Sequence, residues 1–424
     1  MNFTRGIALS LALFAVFVAV YVLSVVRTSF DSMWSIHTSM SLAEGDGGDL
    51  RKYLPLLDRH NRYSILHYDD RYYTSYPVGA SLLTVPIVAA AAWWDGDFKQ
   101  RLAEAVPDKF EQRVASIYGA IAAVLFFWLI YQRFSSVPIA LASAGIFAFC
   151  TSMWSTATRA LWQHGPLVLM LVLAMMLLLR GRRQPSAVQY AAIPLAFAFV
   201  IRPTAAIPIA VLSLYVLVRH RAWFIRFALF GAAIGLPWVA YNLHEFGTVL
   251  PLYYQPAHHG ETTMFGEALL GNLVSPSRGL FVFSPVFLLS LSGFVLSLRH
   301  RDERLLHICF GVIIVLHWLV VSRQPIWWAG VSFGPRFMTD IVPFLTYFLA
   351  FNFDLIERTT GWRRWAFRGL VVVLAAASML IHGLGATSPS GIYWNDVPQG
   401  IDMNDRARLW DWKDPQFARS LLRP

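Results

Sequence analysis

The feature that most constrains this chain is a series of apolar blocks, separated by short segments that carry most of the charge. A helix needs about 17 to 25 apolar residues to cross the hydrocarbon of a bilayer. Hydrophobic residues make up 56% of the chain and charged residues 14%, whereas soluble domains have about one quarter charged residues. These values exclude a water-soluble fold and predict an all-α, polytopic helical bundle in lipid.

The first block, residues 7–26, is longer than the apolar region of a signal peptide and has no small-residue cleavage site after it, so we interpret it as an uncleaved span. Further predicted spans are residues 114–131, 138–153, 166–179, 188–201, 204–218, 224–241, 280–298, 306–321, 341–351 and 369–381. The sequence therefore predicts about eleven transmembrane helices. With no repeat and no low-complexity linker, residues 1–424 form a single predicted membrane domain.

The loops between these blocks alternate in charge. Arginine clusters occur at every second connection, in residues 132–133, 180–183, 219–226, 299–304 and 358–368. The positive-inside rule places such loops in the cytoplasm, together with Arg5 at the amino terminus. The first loop, residues 28–113, and the tail, residues 383–424, are then extracytoplasmic.

This predicted membrane topology requires that the apolar block 77–94 does not cross the bilayer. The block is short and contains Pro86, as expected of a re-entrant or amphipathic helix lying at the interface. The alternative is that it does cross, with the amino terminus outside and Asp31 in the cytoplasm.

The net charge of +10 does not indicate nucleic-acid binding, because the basic residues lie at span ends, where positive-inside bias and anionic membrane lipid explain them. His258 and His259 lack the spacing of a metal-binding helix motif, which favours an ordinary solvated loop. No nucleotide-binding, serine-hydrolase or redox motif is present. We therefore predict no metal and no cofactor.

Asp31 lies just beyond the first span, where a carboxylate at the membrane surface suits a general base for a substrate hydroxyl. It could instead cap a helix over residues 32–42. Later in the same loop, Asp69, Asp70, Arg71 and Tyr76 form an aromatic and charged run. Such a run binds sugars or anchors the chain at the interface.

Three arginines on the predicted outer face, Arg159, Arg278 and Arg336, adjoin span ends. A guanidinium at this depth is costly unless it is paired, and a lipid phosphate offers bidentate oxygens there. Alternatively, each arginine reaches the headgroups alone, or Arg336 pairs with Asp340. Arg202, in a tight connection, is interpreted as capping a helix.

In this order, these motifs resemble the GT-C superfamily of membrane glycosyltransferases, in particular the branch with protein mannosyltransferases and the lipid A aminoarabinose transferase. The motifs are Asp31 after the first span, Tyr76-Pro77, Arg-x-x-Trp-Gln-His-Gly-Pro at 159–166, Tyr241-Asn242 with Phe246-Gly247, Ser-Pro-Ser-Arg-Gly at 275–279, Phe-Ser-Pro at 283–285 and Gly-Val-Ser-Phe-Gly-Pro-Arg at 330–336. The resemblance covers most of the chain and brings His164 into the predicted substrate-binding set. Trp328 joins the set as a cavity wall or part of an aromatic belt.

The resemblance implies that Asp31 activates an acceptor hydroxyl, which attacks a polyprenyl-phosphate sugar with inversion. Arg278 and Arg336 are the expected partners of the departing phosphate, because a leaving phosphate requires positive charge. Two departures are visible: Ser32 follows Asp31 where many relatives carry a second acid, and Val78 follows Pro77 where many carry a second proline. The missing second acid argues against a metal-dependent variant.

The predicted function is transfer of one sugar from a polyprenyl-phosphate carrier to an envelope polysaccharide, lipid or protein. The predicted location is the bacterial inner membrane, with the active site extracytoplasmic. A transporter or flippase of lipid-linked sugars would share the bundle and the outer aromatic loop, but transporters commonly show internal symmetry. A non-catalytic subunit of an envelope-assembly complex would tolerate the loss of Asp31.

Overall fold

The computed structural model describes residues 3–60, 62–255, 264–402 and 406–422. These residues form a mostly helical structure with one small two-stranded sheet. The predicted loop around His258 and His259 lies outside the described residues.

The chain begins with the apolar helix α1 (Phe3–Leu23), and the loop after it folds into short elements. These are α2 (Ser35–Glu44), α3 (Leu54–Arg59), β1 (Ile65–Tyr68), β2 (Arg71–Thr74), α4 (Gly79–Trp94) and α5 (Phe98–Glu104). The two strands pair antiparallel, with Ile65 opposite Thr74 and Tyr68 opposite Arg71. Asp69 adopts a positive φ of 50° in the tight turn between them.

Helix α4 is the block for which the sequence predicts an interfacial position. It is one continuous helix of 16 residues in spite of Pro86, and at 1.5 Å per residue it extends about 24 Å. This is shorter than the hydrocarbon core of about 30 Å. Trp93 and Trp94 at its end are 83% and 84% exposed, as is typical of side chains at a membrane interface. That α4 does not cross the bilayer stays a prediction.

The remaining chain supplies the bundle. Its helices are α6 (Asp108–Phe134), α7 (Val137–Phe149), α8 (His164–Arg180), α9 (Ala192–Ile201), α10 (Ala206–Arg219), α11 (Arg221–Phe246), α12 (Phe265–Val274), α13 (Leu280–Phe283), α14 (Leu288–Ser297), α15 (Arg304–Val321), α16 (Val342–Arg358), α17 (Gly361–Thr387), α18 (Ser390–Tyr393) and α19 (Arg419–Leu422). Helix α6 packs against α1, α7, α8 and α16. Its buried face therefore runs through the main hydrophobic core.

Within the described part of the chain, six helices are long and apolar enough to cross a membrane, which supports the predicted helical membrane fold. They are α1, α6, α11, α15, α16 with the short 3₁₀ segment before it, and α17. The other five predicted spans coincide with shorter apolar helical segments, at 137–149, 164–180, 185–201, 203–219 and 285–297. The total of about eleven spans stays a prediction.

The arginine-rich loops meet at one end of the bundle. Buried Glu303 binds Arg133 at 2.8 Å and Arg182 at 3.2 Å, so three of the predicted cytoplasmic connections are joined there. Asp31 lies near the opposite end of α6, where Ser32 hydrogen bonds to Glu111. The 27 residues of α6 separate the two ends by about 40 Å. This grouping follows the charge alternation of the sequence.

Helix α4 starts directly on the end of α9. A Cβ atom added to Gly79 would lie 2.5 Å from the backbone of Val200 and Ile201, closer than real Cβ atoms approach. The chain therefore needs a glycine here. This contact fixes Tyr76 and Pro77, just before α4, beside the connection that carries Arg202.

Candidate active site

Asp31 and Arg336 form an ion pair at the predicted outer end of the bundle. Arg336 Nη2 donates to Asp31 Oδ2 at 2.5 Å, and the two side chains are 15% and 16% exposed. Arg336 opens a short 3₁₀ segment (Arg336–Ile341) that leads into α16. The contact therefore joins the first outer loop to a loop far away in the sequence.

Two tyrosines complete the surroundings of the Asp31 carboxylate. Tyr63 Oη donates to Asp31 Oδ1 at 2.8 Å, and Tyr76 lies within hydrogen-bonding reach. Burial raises the pKa of Asp31, but the charge of Arg336 and the hydrogen bonds from Tyr63, Arg336 and Tyr76 outweigh burial, so the pKa lies below its ordinary value. Asp31 is therefore ionised at neutral pH.

Arg336 is held from its other side by an aromatic ring. Its Cζ lies 3.8 Å from the ring centroid of Trp162, which is buried, and a cation over an indole face is stabilised in such a position. Arg336 Nε and Trp162 Nε1 are both buried without a hydrogen-bond partner among the described residues. Two N–H donors at this site therefore remain unused.

A second arginine lies beneath the pair. Arg202 is 6% exposed and binds Asp340 at 3.1 Å. Asp340 also accepts a hydrogen bond from His164 Nδ1 at 2.7 Å, while His164 Nε2 lies 3.3 Å from Arg202. This arrangement fits a neutral imidazole that donates at Nδ1 and accepts at Nε2. Arg336 and Asp340 are one helical turn apart, but each binds a different partner, Arg336 binding Asp31 and Asp340 binding Arg202.

Glu111 joins the two loops that carry the site. One carboxylate oxygen of this buried residue accepts from Ser32, next to Asp31, and from the backbone N–H of Leu161 at 2.8 Å, next to Trp162. The other oxygen accepts from Arg27 at 2.7 Å. Glu111 thus sets the distance between the loop of Asp31 and the loop of Trp162.

The two side chains of the ion pair line a small cavity, hereafter the Asp31 cavity. Its walls include Asp31, Ser35, Tyr76, Trp162, Arg202 and Arg336. The cavity thus combines an ionised carboxylate with two guanidinium groups. This combination can accept a proton on one side and bind an anion on the other.

An apolar groove lies on the helices next to this cavity in the sequence. It is formed by α9, α10 and α11 and is lined almost entirely by aliphatic and aromatic side chains. Val200 and Ala206, which flank the connection carrying Arg202, line it. The groove therefore reaches both sides of the connection that carries Arg202.

Arg159 does not reach the Asp31 cavity. It is 0% exposed, and its guanidinium donates to the carbonyl oxygens of Tyr21 at 2.5 Å and of Ser24. These carbonyls lie around the end of α1, where helical C=O groups lack partners. Arg159 therefore fixes the end of α1. Its guanidinium does not lie where the predicted phosphate would bind.

Arg278 is likewise occupied by the protein itself. Its five N–H groups donate to the carbonyls of Ser277, Trp328 and Gly330 and to the side chains of Asn395 and Gln416, at 2.6–3.0 Å. No donor is left for a phosphate. Arg278 instead ties the carboxy-terminal tail to the loop that precedes Arg336.

The hairpin residues of the first outer loop lie apart from Asp31. The side chain of Asp70 is 96% exposed and lies 3.1 Å from Arg51, while Arg71 binds Glu245 at 2.7 Å. Asp69 forms the turn. Of the predicted residues in this run, Tyr76 alone lines the Asp31 cavity.

Two other predicted side chains do not line the Asp31 cavity. His164 holds Asp340, as described above, and Trp328 donates to Asp402 at 2.7 Å. The helix-capping interpretation of Asp31 is wrong, because α2 begins at Ser35 and no side chain caps it. Sequence reasoning missed Tyr63 and Trp162, and it gave Arg202 only a capping role. The sequence signals were that Trp162 and Arg202 lie in outer connections and that Trp162 belongs to the motif at 159–166.

The chain matches no protein-family model and no curated protein.

Proposed function

We propose that this membrane protein is a glycosyltransferase that uses a polyprenyl-phosphate sugar at the extracytoplasmic face of a bacterial inner membrane. The observation that carries the proposal is the ion pair of Asp31 and Arg336 inside one cavity. It supplies a base and an anion-binding group side by side, which is what sugar transfer from a lipid phosphate requires.

The unused donors of the Asp31 cavity favour a phosphate. Arg336 Nε and Trp162 Nε1 can only donate, and both are buried. Buried donors without partners are costly, so a ligand rich in acceptor oxygens would satisfy them. A phosphate group would also interact with the positive charge of Arg202 beneath it.

The apolar groove suits the carrier lipid. A polyprenyl chain needs a long apolar surface that is open to the membrane, and the groove of α9, α10 and α11 offers one. Because the groove reaches both sides of the connection that carries Arg202, and Arg202 lines the Asp31 cavity, a chain lying in the groove would bring its phosphate towards that cavity.

In the proposed reaction, the acceptor hydroxyl forms a bond to the anomeric carbon of the donor sugar. The bond between that carbon and the phosphate oxygen breaks, and the polyprenyl phosphate leaves with the electron pair. Asp31 takes the proton of the hydroxyl, while Arg336 and Arg202 neutralise the leaving phosphate. When the phosphate draws Arg336 towards itself, the carboxylate of Asp31 becomes more basic. Phosphate binding therefore activates the base.

The test is transfer from a radiolabelled polyprenyl-phosphate sugar to an envelope extract, with the purified protein in lipid nanodiscs. We expect Asp31→Asn to lower the rate about 100- to 10,000-fold. The matched control is Asp58→Asn, because Asp58 is an exposed carboxylate of the same loop, paired with Arg62 at 2.6 Å. This control should retain the wild-type rate.

The same assay separates the alternatives. Transfer that survives in Asp31→Asn would remove this residue from the role of base. Movement of the labelled lipid between leaflets without any sugar transfer would indicate a flippase. If neither activity appears with any donor, the protein is a non-catalytic subunit.

A further inference from the structure

A second cavity adjoins the Asp31 cavity and has aromatic walls. It is lined by Tyr73, Tyr76, Trp238, Tyr241, Asn242 and Tyr254, among others. We call it the aromatic cavity. It shares Tyr76 and Pro77 with the Asp31 cavity. A ligand in the aromatic cavity would therefore lie next to the proposed base.

Two residues that line this cavity each have a buried polar atom without a partner among the described residues. The atoms are Asn242 Oδ1 and Thr38 Oγ1, in side chains that are 1% and 2% exposed. Buried polar atoms almost always have a hydrogen-bond partner, so two such atoms without partners need an explanation. The orientation of the Asn242 amide is fixed, because its Nδ2 donates to the carbonyl of Val249 at 3.2 Å. Its oxygen is thus left to accept a bond from a ligand.

The tyrosines of the cavity differ, because the protein already uses their hydroxyls. Tyr73 donates to Glu245 at 2.6 Å, Tyr241 to the carbonyl of Gly47 at 2.9 Å, and Tyr254 to the carbonyl of Phe199 at 2.9 Å. These bonds hold the three rings in place. The rings therefore contribute rigid apolar surface rather than polar groups.

The absence of charged side chains from the described lining of the cavity argues against a charged ligand. None of the described residues that line it carries a charged side chain. A phosphate or an acidic peptide would lose its hydration there without gaining a counter-charge. A hydrocarbon chain would leave Asn242 Oδ1 and Thr38 Oγ1 unsatisfied. A neutral ligand with both C–H faces and hydroxyl groups fits both features.

We infer that the aromatic cavity is a binding subsite for a neutral sugar ring, which packs on the fixed aromatic rings and donates a hydroxyl to Asn242 Oδ1. Thr38 exchanges a hydrogen bond with a second hydroxyl. The assignment of this ring to a substrate rests on the proposed function. The bound ring is either part of a glycan acceptor or the sugar carried by the lipid donor, and the cavity would bind both through the same contacts.

The binding test uses protein in lipid nanodiscs, free of sugar-based detergent, and saturation-transfer NMR. The probes are neutral disaccharides of hexose, N-acetylhexosamine and pentose. We expect at least one to bind, and Thr38→Val or Asn242→Leu to weaken that binding about 3- to 10-fold each, as expected for one lost hydrogen bond. Thr38→Val should not lower thermal stability, because it removes an unsatisfied hydroxyl.

The matched control is Thr346→Val, which removes a buried hydroxyl of α16 that is bonded to the carbonyl of Val342. It should leave sugar binding unchanged. Absence of binding by every disaccharide, or equal affinity in wild type and both cavity variants, would overturn the subsite.

Kinetics of the same variants identify the source of the ring. A higher KM for the acceptor assigns it to a glycan acceptor, and a higher KM for the donor assigns it to the lipid-linked sugar. Disaccharide binding without any sugar transfer would contradict the proposed transferase and leave the subsite intact. The two proposals can therefore fail separately.

Discussion

The guanidinium of Arg336 donates a 2.5 Å hydrogen bond to the carboxylate of Asp31, across 305 positions of sequence. Both side chains are mostly buried, and each is held by an aromatic residue: Tyr63 for Asp31 and Trp162 for Arg336. The pair is therefore an organised site rather than a chance contact of two surface charges.

Replacing Arg336 should change both the rate and its pH dependence. Arg336→Gln removes the charge that lowers the pKa of Asp31, so the pKa rises. Because the base must be ionised, the acid limb of the pH profile of kcat/KM, which reports the enzyme before the phosphate binds, should move to higher pH. Loss of phosphate stabilisation should lower the rate about 100- to 1,000-fold. An acid limb at the wild-type position would contradict the pairing.

Glu111 should be needed to hold the site together. Glu111→Gln places an NH₂ group against the guanidinium of Arg27 and removes their ion pair. We therefore expect the free energy of unfolding to fall by about 1–3 kcal/mol. Transfer should also slow, because the loops of Asp31 and Trp162 lose their link. Equilibrium denaturation in detergent measures the first effect. The control, Glu104→Gln at the end of α5, should match wild type in both assays.

The contact between Gly79 and Val200 should tolerate no side chain. Gly79→Ala places a methyl group against the backbone of α9, which costs about 1–3 kcal/mol of stability. Gly145→Ala is the matched control, because Gly145 lies in helix α7 and an added Cβ would meet open space. The control should be as stable as wild type or slightly more stable. Equal unfolding of the two variants would contradict the close packing.

The orientation in the membrane can be tested by cysteine labelling. Asp70→Cys should react with a membrane-impermeant maleimide in intact cells, and Arg183→Cys only after the membrane is opened. Both positions are exposed, whereas the native Cys150 and Cys309 are buried and should give little background. Labelling of Arg183→Cys alone in intact cells would reverse the predicted topology.

The long apolar helices could be predicted from hydropathy, because a bilayer imposes a length on the sequence. Charge alternation likewise predicted that Asp31 and Arg336 lie at the same end of the bundle, and the structure joins them. Periodicity and charge act locally along the chain, so a single sequence reveals these features.

The partners of the arginines could not be predicted in the same way. Arg159 and Arg278 carry the same charge as Arg336 and lie at similar span ends, yet backbone carbonyls and amide side chains more than 100 positions away occupy them. Only the tertiary structure brings those oxygens close. Tyr63 was missed for a related reason, since it lies in an irregular loop without a periodic pattern.

The most direct test of the central claim is a double-mutant cycle on single-turnover sugar transfer, with Asp31→Asn, Arg336→Gln and the variant that combines them. If the two residues act as one unit, removing the second costs little once the first is gone. We predict that the combined variant is about as slow as the slower single variant. Rate losses that multiply independently would contradict the account.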